Sequence, residues 1–392
     1  TRARAAAAAS STTPRSRRGI AIAVAAVVVL AGGGAAALLV GGGDDDDEPG
    51  PAEVSDSSGP PAPVAEPVAG DVDDDGFGDV LMTQVRADSR RPVATLTFPS
   101  NGQSLGAVES VPRTDDGDVH LADVDADGLL DQVTVEASGI EETAHLVVQP
   151  GDGSESWTAD FDLPGTTFGI TSFPFVTDAD GDGRADLVLT ADSEGRTGLW
   201  VARAGDQAFG ELEQWYAGTD DWTAAEFVTG DFDGDGSSDV LVTTNREAGG
   251  EAWTVLTSDG TAFEPGEVYP LDAGGLALGT PVPGDVDGDG ADEVVLFGGA
   301  GRSVNVLEVA DGTIGGRGRW AKDLGAAVQN TYDVYVLSDV DGDRDDDVVW
   351  LQPDRTFAVL LSTGASFEAP TPWGTLECGD ECGDDFSFAR LD

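Results

Sequence analysis

Residues 230–242 read GDFDGDGSSDVLV. Four carboxylates, Asp231, Asp233, Asp235 and Asp239, fall on alternate or near-alternate positions, with a glycine at position 6, Gly236, where a sharp turn needs it. The run Val240-Leu241-Val242 then has the composition of a buried strand. Five further stretches repeat this reading: GDVDDDGFGDV (70–80), ADVDADGLLDQV (122–133), TDADGDGRADLV (177–188), GDVDGDGADEVVL (284–296) and SDVDGDRDDDVVW (338–350). Their first aspartates, Asp71, Asp123, Asp178, Asp231, Asp285 and Asp339, are 52, 55, 53, 54 and 54 residues apart. A steady period of this length over six copies marks a repeat protein.

A second marker recurs about thirty residues after each first aspartate, as SNGQSLG, GDGSESW, AGDQAFG, SDGTAFE, ADGTIGG and STGASFE. Each is a small Gly-containing turn followed by one apolar residue: Leu105, Trp157, Phe209, Phe263, Ile314 or Phe367. Such pairs favour tight hairpins, because the central residues accept positive φ. Between the markers lie runs such as DVLVTTN and AWTVLT, rich in β-branched and aromatic residues. Each repeat therefore holds about four strands, one on either side of each marker. Four strands in a repeat of this length make a propeller blade. The predicted fold is all-β, a propeller of six visible four-stranded blades. The tail DDFSFARLD resembles the first strand of another blade, so a truncated seventh is expected; the alternative is a closed six-bladed ring.

Composition agrees. The 392 residues carry 54 glycines, which suits many turns and short strands better than helix bundles. Lys and Arg number 20 against 74 Asp and Glu, a formal charge of −54 that argues against nucleic-acid binding. The N-terminus differs from the rest. Residues 1–18 are basic, residues 19–40 are uncharged and long enough for a membrane span or a signal segment, and an acidic run begins at Asp44. Positive charge before and negative after predicts a basic cytoplasmic tail, a single transmembrane anchor and everything else outside the cell; secretion after signal cleavage is the alternative. Residues 41–69, rich in Gly, Asp, Pro and Glu, read as an extended acidic linker to a folded unit over 70–392.

The repeats resemble the FG-GAP/VCBS family, whose best-known members form the N-terminal propeller of integrin alpha chains. The resemblance covers residues 70 to 392. It implies a calcium-binding β-propeller, usually extracellular. It fixes fold better than function, since adhesins, lectin-like proteins and carbohydrate enzymes share it.

The loop chemistry points the same way. Positions 1, 3, 5 and 9 offer Asp71, Asp73, Asp75 and Asp79; Asp123, Asp125, Asp127 and Asp131; Asp178, Asp180, Asp182 and Asp186; Asp231, Asp233, Asp235 and Asp239; Asp285, Asp287, Asp289 and Glu293; and Asp339, Asp341, Asp343 and Asp347. Four like charges in one tight loop repel. A hard cation with many oxygen ligands, Ca²⁺ rather than Mg²⁺ or zinc, makes the arrangement favourable, with the position 7 carbonyl completing the shell. Up to six ions are expected, and six would move the net charge from −54 to about −42. An EF-hand needs a bidentate Glu at position 12, which here is Leu189 or Val242. The bland alternative is a solvated Asp-Gly turn. The sixth loop, with Arg344 where the others have Gly, is the weakest match.

The calcium loop and the Gly turn should share one face of the propeller. Seven arginines, Arg86, Arg90, Arg91, Arg196, Arg246, Arg302 and Arg355, crowd the short connections on the other, where an anionic glycan could bind through guanidinium forks; neighbouring acids could equally pair them. Trp215, Trp320 and Trp373 recur at like positions and suit packing between blades, whereas Trp222 is the better candidate for stacking on sugar. Cys378 and Cys382 suit a local disulfide. No catalytic constellation is visible. The reading is an extracellular, membrane-anchored, calcium-binding propeller that binds a surface protein or glycan, with the propeller part of a carbohydrate-active enzyme or a surface spacer as alternatives.

Overall fold

A computed structural model of the chain describes residues 70–390 except 73–74, 87–91, 113–117, 138–142, 163–173, 194–195, 219–221, 223–224, 247–249, 271–280, 299–302, 311, 323, 325–333, 353 and 378–385. Residues 1–69, where a basic tail, an anchor and a linker are expected, and the cysteine pair lie outside the described residues. Among the described residues no helix is long and apolar enough to cross a membrane.

The chain forms six antiparallel blades, one for each aspartate motif. Blade 1 contains β1 (Val80–Arg86), β2 (Pro92–Phe98) and β3 (Glu109–Pro112). Blade 2 contains β4 (Asp118–Ala122), β5 (Asp131–Ala137), β6 (Thr143–Gln149) and β7 (Trp157–Asp162). Blade 3 contains β8 (Phe175–Thr177), β9 (Asp186–Ser193) and β10 (Arg196–Ala202), a small hairpin of β11 (Ala204–Gly205) and β12 (Ala208–Phe209), and the outer β13 (Glu213–Ala217). Blade 4 contains β14 (Ala225–Gly230), β15 (Asp239–Arg246), β16 (Gly250–Ser258), β17 (Phe263–Pro265) and β18 (Tyr269–Pro270). Blade 5 contains β19 (Pro281–Gly284), β20 (Glu293–Gly298), β21 (Ser303–Ala310) and β22 (Thr313–Ala321). Blade 6 contains β23 (Val334–Ser338), β24 (Asp347–Leu351), β25 (Thr356–Leu360) and β26 (Thr371–Thr375).

The last strand, β27 (Phe386–Arg390), corrects the expectation of a seventh blade. It pairs antiparallel with β1, Met82 opposite Arg390 and Arg86 opposite Phe386, and gives blade 1 its fourth strand. The sequence reading identified this segment correctly as an innermost strand and misplaced the blade that it completes. A strand pairs with whatever free edge lies beside it, and in a ring the first blade's edge is adjacent to the last blade.

Side chains alternate across each strand, so every blade presents two faces, one to each neighbour. The two residues after the position 9 carboxylate show this. Val240 packs toward blade 3 and Leu241 toward blade 5, and both are fully buried. Apolar clusters fill the junctions 2–3, 3–4, 4–5, 5–6 and 6–1. The Gly-turn residue of one blade clamps the outer strand of the preceding blade: Phe263 lies 5.6 Å from Trp215 and Phe367 lies 5.5 Å from Trp320, centroid to centroid. Leu105 clusters with Trp373 and donates its N–H to the Trp373 carbonyl. The three recurrent tryptophans are thus packing residues, as their spacing suggested. Trp222 is one too. It is 4% exposed, stacked on Tyr216 at 5.3 Å and edge-on to Phe227, which removes it as a sugar platform.

Candidate metal centre

In blades 2 to 6 the aspartate motif is the connection between the innermost strand and the next, as in β14 to β15, whereas the first motif leads into β1; each Gly turn connects the following pair, as in β16 to β17. Both lie at the same end of the blade, and hydrogen bonds join them. Ser258 at the end of β16 donates its N–H to Asp239 Oδ1 (2.7 Å) and its hydroxyl to the carbonyl of Ala179 in the preceding blade's loop (2.7 Å).

The loop is organised by its own carboxylates. In the fourth loop, Asp231 Oδ1 accepts from the N–H groups of Gly234 (2.8 Å) and Asp235 (3.1 Å), and Oδ2 accepts from Gly236 (2.9 Å). Asp235 Oδ1 accepts from Ser237 N–H (2.8 Å), and Asp239 Oδ2 from Phe232 N–H (3.1 Å). The position 1 pattern recurs in the other loops. Positions 4 and 6 both take positive φ: Gly234 at 73° and Gly236 at 93°. The sequence reading saw the need for glycine at position 6 only.

Arg344 shows why the sixth loop survives without that glycine. Its φ is 80°, and its N–H still reaches Asp339 Oδ2 at 2.9 Å. At the corresponding Gly236 and Gly290 a Cβ would meet nothing within 4 Å, so a side chain costs conformational strain and no clash. The weakest sequence match therefore builds the same loop as the others.

In five loops three carboxylates each bring one oxygen within 4.8 Å of the others: Asp123, Asp125 and Asp127; Asp178, Asp180 and Asp186; Asp231, Asp233 and Asp239; Asp285, Asp287 and Asp289; Asp339, Asp341 and Asp347. Asp131, Asp182, Asp235, Glu293 and Asp343 stand beside these groups without joining them. In the first loop Asp73 lies outside the described residues, and Asp71, Asp75 and Asp79 form no such group among the described ones.

The donor set fits a hard cation. Asp125 Oδ1, Asp180 Oδ1 and Asp341 Oδ1 at position 3, with Asp186 Oδ2 and Asp347 Oδ2 at position 9, are buried without a hydrogen-bond partner. Orphaned carboxylate oxygens are costly, and two converging in one loop, as in the third and sixth, call for a compensating charge. Burial raises the Asp186 carboxyl to about 7 and those of Asp239, Glu293 and Asp347 to about 8. Backbone N–H bonds oppose the shift, and the neighbouring loop carboxylates add to it.

Two acidic residues that the sequence reading passed over sit at position 8. Asp292 Oδ2 accepts the N–H of Asp231 in the preceding loop (3.0 Å), and burial holds its carboxyl at about 7. Burial raises Asp346 well above the usual range. A Cβ on Gly230 would approach Asp292 Oδ2 to 2.5 Å, so glycine there leaves room for the carboxylate. A comparison of position 8 across repeats, where Gly78, Leu130, Ala185 and Ser238 stand in the other blades, was the available signal.

Elsewhere, a shallow recess of about 330 Å³ on the blade rim is lined by Tyr269, Asn305, Leu307, Gly316, Gly318 and Arg319. Of the seven arginines expected on the opposite end, the side chains of Arg90, Arg91, Arg196, Arg246 and Arg302 lie outside the described residues. Arg86 is exposed, and Arg355 sits at φ 68° in a turn.

Three overlapping segments, residues 123–189, 178–242 and 231–296, match the FG-GAP-like repeat family. No curated protein matches the chain in sequence. Among solved structures, a Photorhabdus luminescens Tc holotoxin pore chain is similar with a TM-score of 0.43 and 14% identity, over 76% of this chain and 15% of its own. The rhamnogalacturonan lyase YesW is similar at 0.37 and 16%, over 76% and 55%. The β-propeller domain of the Trilobed protease from Pyrococcus furiosus is similar at 0.33 and 12%, over 77% and 100%. The chain thus spans a small part of the toxin chain and about half of the lyase. With six blades, an aspartate loop in each and three repeats matched to the family, the chain is an FG-GAP repeat β-propeller.

Proposed function

We propose that this propeller is a calcium-stabilised binding module displayed outside the cell and held at the membrane by residues 19–40. The fold itself supports a generic binding or structural role. The observation that carries the finer reading is the set of five carboxylate groups, three of which, in the second, third and sixth loops, hold buried, unpartnered oxygens. Ca²⁺ is the ion whose oxygen-rich, irregular coordination suits such loops, and when bound it supplies the positive charge that they lack. Positions 1, 3, 5 and 9 would hold it, and the hydrogen bonds to position 1 keep the loop shaped for it.

The extracellular assignment follows from the charge order of the N-terminus and from the calcium supply outside cells. Ligand contact is assigned to the end opposite the calcium loops. The connections between consecutive blades there are long and unlike one another, which is where recognition is built on a regular scaffold. A surface protein or an anionic glycan suits the arginines on that end.

The test is thermal melting of the full chain with millimolar Ca²⁺, with Mg²⁺ and with chelator. A ligand at 100 times its Kd stabilises by about 2.7 kcal/mol per site, so several sites give a saturable rise of many degrees with Ca²⁺. Equal melting in Ca²⁺ and chelator would leave the loops as bare turns and remove the proposal.

A further inference from the structure

Five of the six blade junctions are built alike, and the sixth is not. At the two positions after the position 9 carboxylate, Val80, Leu187, Val240, Val294 and Val348 face the preceding blade, and Val133, Val188, Leu241, Val295 and Val349 face the following one; all ten are 0% exposed. The remaining two, Leu81 and Gln132, face each other's blades across the junction between blades 1 and 2, and both are only half-buried. The face assignment follows from packing. Val80, Met82, Leu96 and Phe98 pack against blade 6, so Leu81, Thr83, Thr95 and Thr97 turn toward blade 2. Val133, Val135, Leu146 and Val148 pack against blade 3, so Gln132, Thr134, Val147 and Gln149 turn toward blade 1. Strand register agrees, with Thr83 opposite Thr95, Leu81 opposite Thr97, and Gln132 opposite Gln149. Where the other junctions hold Val, Leu and aromatic rings, this one mixes hydroxyls and amides with Leu81, Val119, Leu121 and Val147, and the Thr95 hydroxyl is buried without a partner.

Two more ties are different here. At each other junction the position 8 N–H donates to the position 1 carbonyl of the preceding loop: Ala185 to Asp123 (2.7 Å), Ser238 to Asp178 (2.7 Å), Asp292 to Asp231 (2.6 Å), Asp346 to Asp285 (2.6 Å) and Gly78 to Asp339 (2.7 Å). Among the described residues no such bond joins Leu130 to Asp71. The Gly-turn clamp also points away. Trp157 of blade 2 lies 5.4 Å from Phe209 of blade 3, and among the described residues no aromatic contact of the Phe263–Trp215 or Phe367–Trp320 kind joins it to blade 1.

We infer that the ring is a clasp, with five tight junctions and one hydroxyl-lined seam, between blades 1 and 2, at which it parts reversibly in the native state. Apolar junctions resist separation because opening exposes hydrocarbon to water. The threonine and glutamine faces regain hydrogen bonds to water when they separate, so this seam opens at least cost and the opened faces stay soluble. Local opening of this kind belongs to the least stable element of a fold.

The test is native-state thiol labelling of the full chain in Ca²⁺, read by peptide mass spectrometry so that Cys378 and Cys382 are scored apart. Thr83→Cys and Thr134→Cys place thiols in the seam at sites 6% and 3% exposed, and Val255→Cys places one in the 4–5 junction at a site 0% exposed. The two seam thiols are expected to label at least ten-fold faster than the control. Combining Thr83→Cys with Thr95→Val and Thr134→Val, which makes the seam apolar, is expected to slow its labelling at least ten-fold. Equal protection of seam and control thiols, or labelling unchanged by the valines, overturns the inference.

Discussion

Without a bound metal this protein should lose stability as pH rises, the reverse of the usual behaviour of carboxylates in a fold. The loop carboxyls of Asp186, Asp239, Glu293 and Asp347 are held at about 7 to 8 by burial, against ordinary values of 3.8 for Asp and 4.5 for Glu. Between those limits the native state keeps protons that the unfolded chain has lost. Stability therefore falls as pH rises through that window; the penalty is absent below the unfolded value and complete above the folded one. Each group contributes about 1.4 kcal/mol per pH unit near pH 6, so these four contribute about 5 kcal/mol, and Asp292, also held at about 7, adds about one more. For a propeller of about 320 residues, an unfolding entropy of about 2.1 cal/mol/K per residue gives about 0.7 kcal/mol/K. The Tm in chelator should then drop by about 9 °C per pH unit between pH 5.5 and 6.5, read by scanning calorimetry. Saturating Ca²⁺ should flatten or reverse the slope, because the ion binds the deprotonated loops. Acid also relieves the general repulsion of a chain at −54, so a variant must separate the two effects. Asp239→Asn removes one of the four groups and should reduce the slope by about 2 °C per pH unit. A chelated Tm that is flat or rises with pH, or an Asp239→Asn slope equal to that of the parent, refutes the reasoning.

Three further outcomes bear on the scaffold. Arg344→Gly places glycine where φ is 80°, so it should stabilise the chain by about 1 kcal/mol and raise the Tm in Ca²⁺ by one to two degrees, roughly; a fall would mean that the Arg344 side chain contributes more than its strain costs. Trp253→Ala empties a fully buried site in the junction between blades 4 and 5 and should cost about 3–5 kcal/mol by denaturant melting, whereas Gln132→Ala in the half-buried seam should cost under about 1 kcal/mol.

Much of the molecule is written in short-range sequence. The period of the aspartate motif counts the blades, because each blade needs one such connection. The alternation of Val240, Leu241 and Val242 places the strand and its two faces, because β side chains point to opposite sides. The grouping of Asp231, Asp233 and Asp239 is nearly local as well, since one tight loop carries all three. What sequence left open depends on contacts distant along the chain. The destination of residues 386–390 is a free edge beside β1, some three hundred residues earlier, and no local pattern names it. Trp222 reads as an exposed loop aromatic until Tyr216 and Phe227 close over it. The carboxyls of Asp292 and Asp239 have ordinary values in an isolated peptide, and only the packing of one blade's loop on the next removes the water that would keep them charged. Sequence alone determined the repeat, the strands and the acidic loops, because those follow from neighbours within a few residues. Tertiary structure decided how the ring closes, which aromatics are core and which junction is weak, because those depend on which surfaces meet.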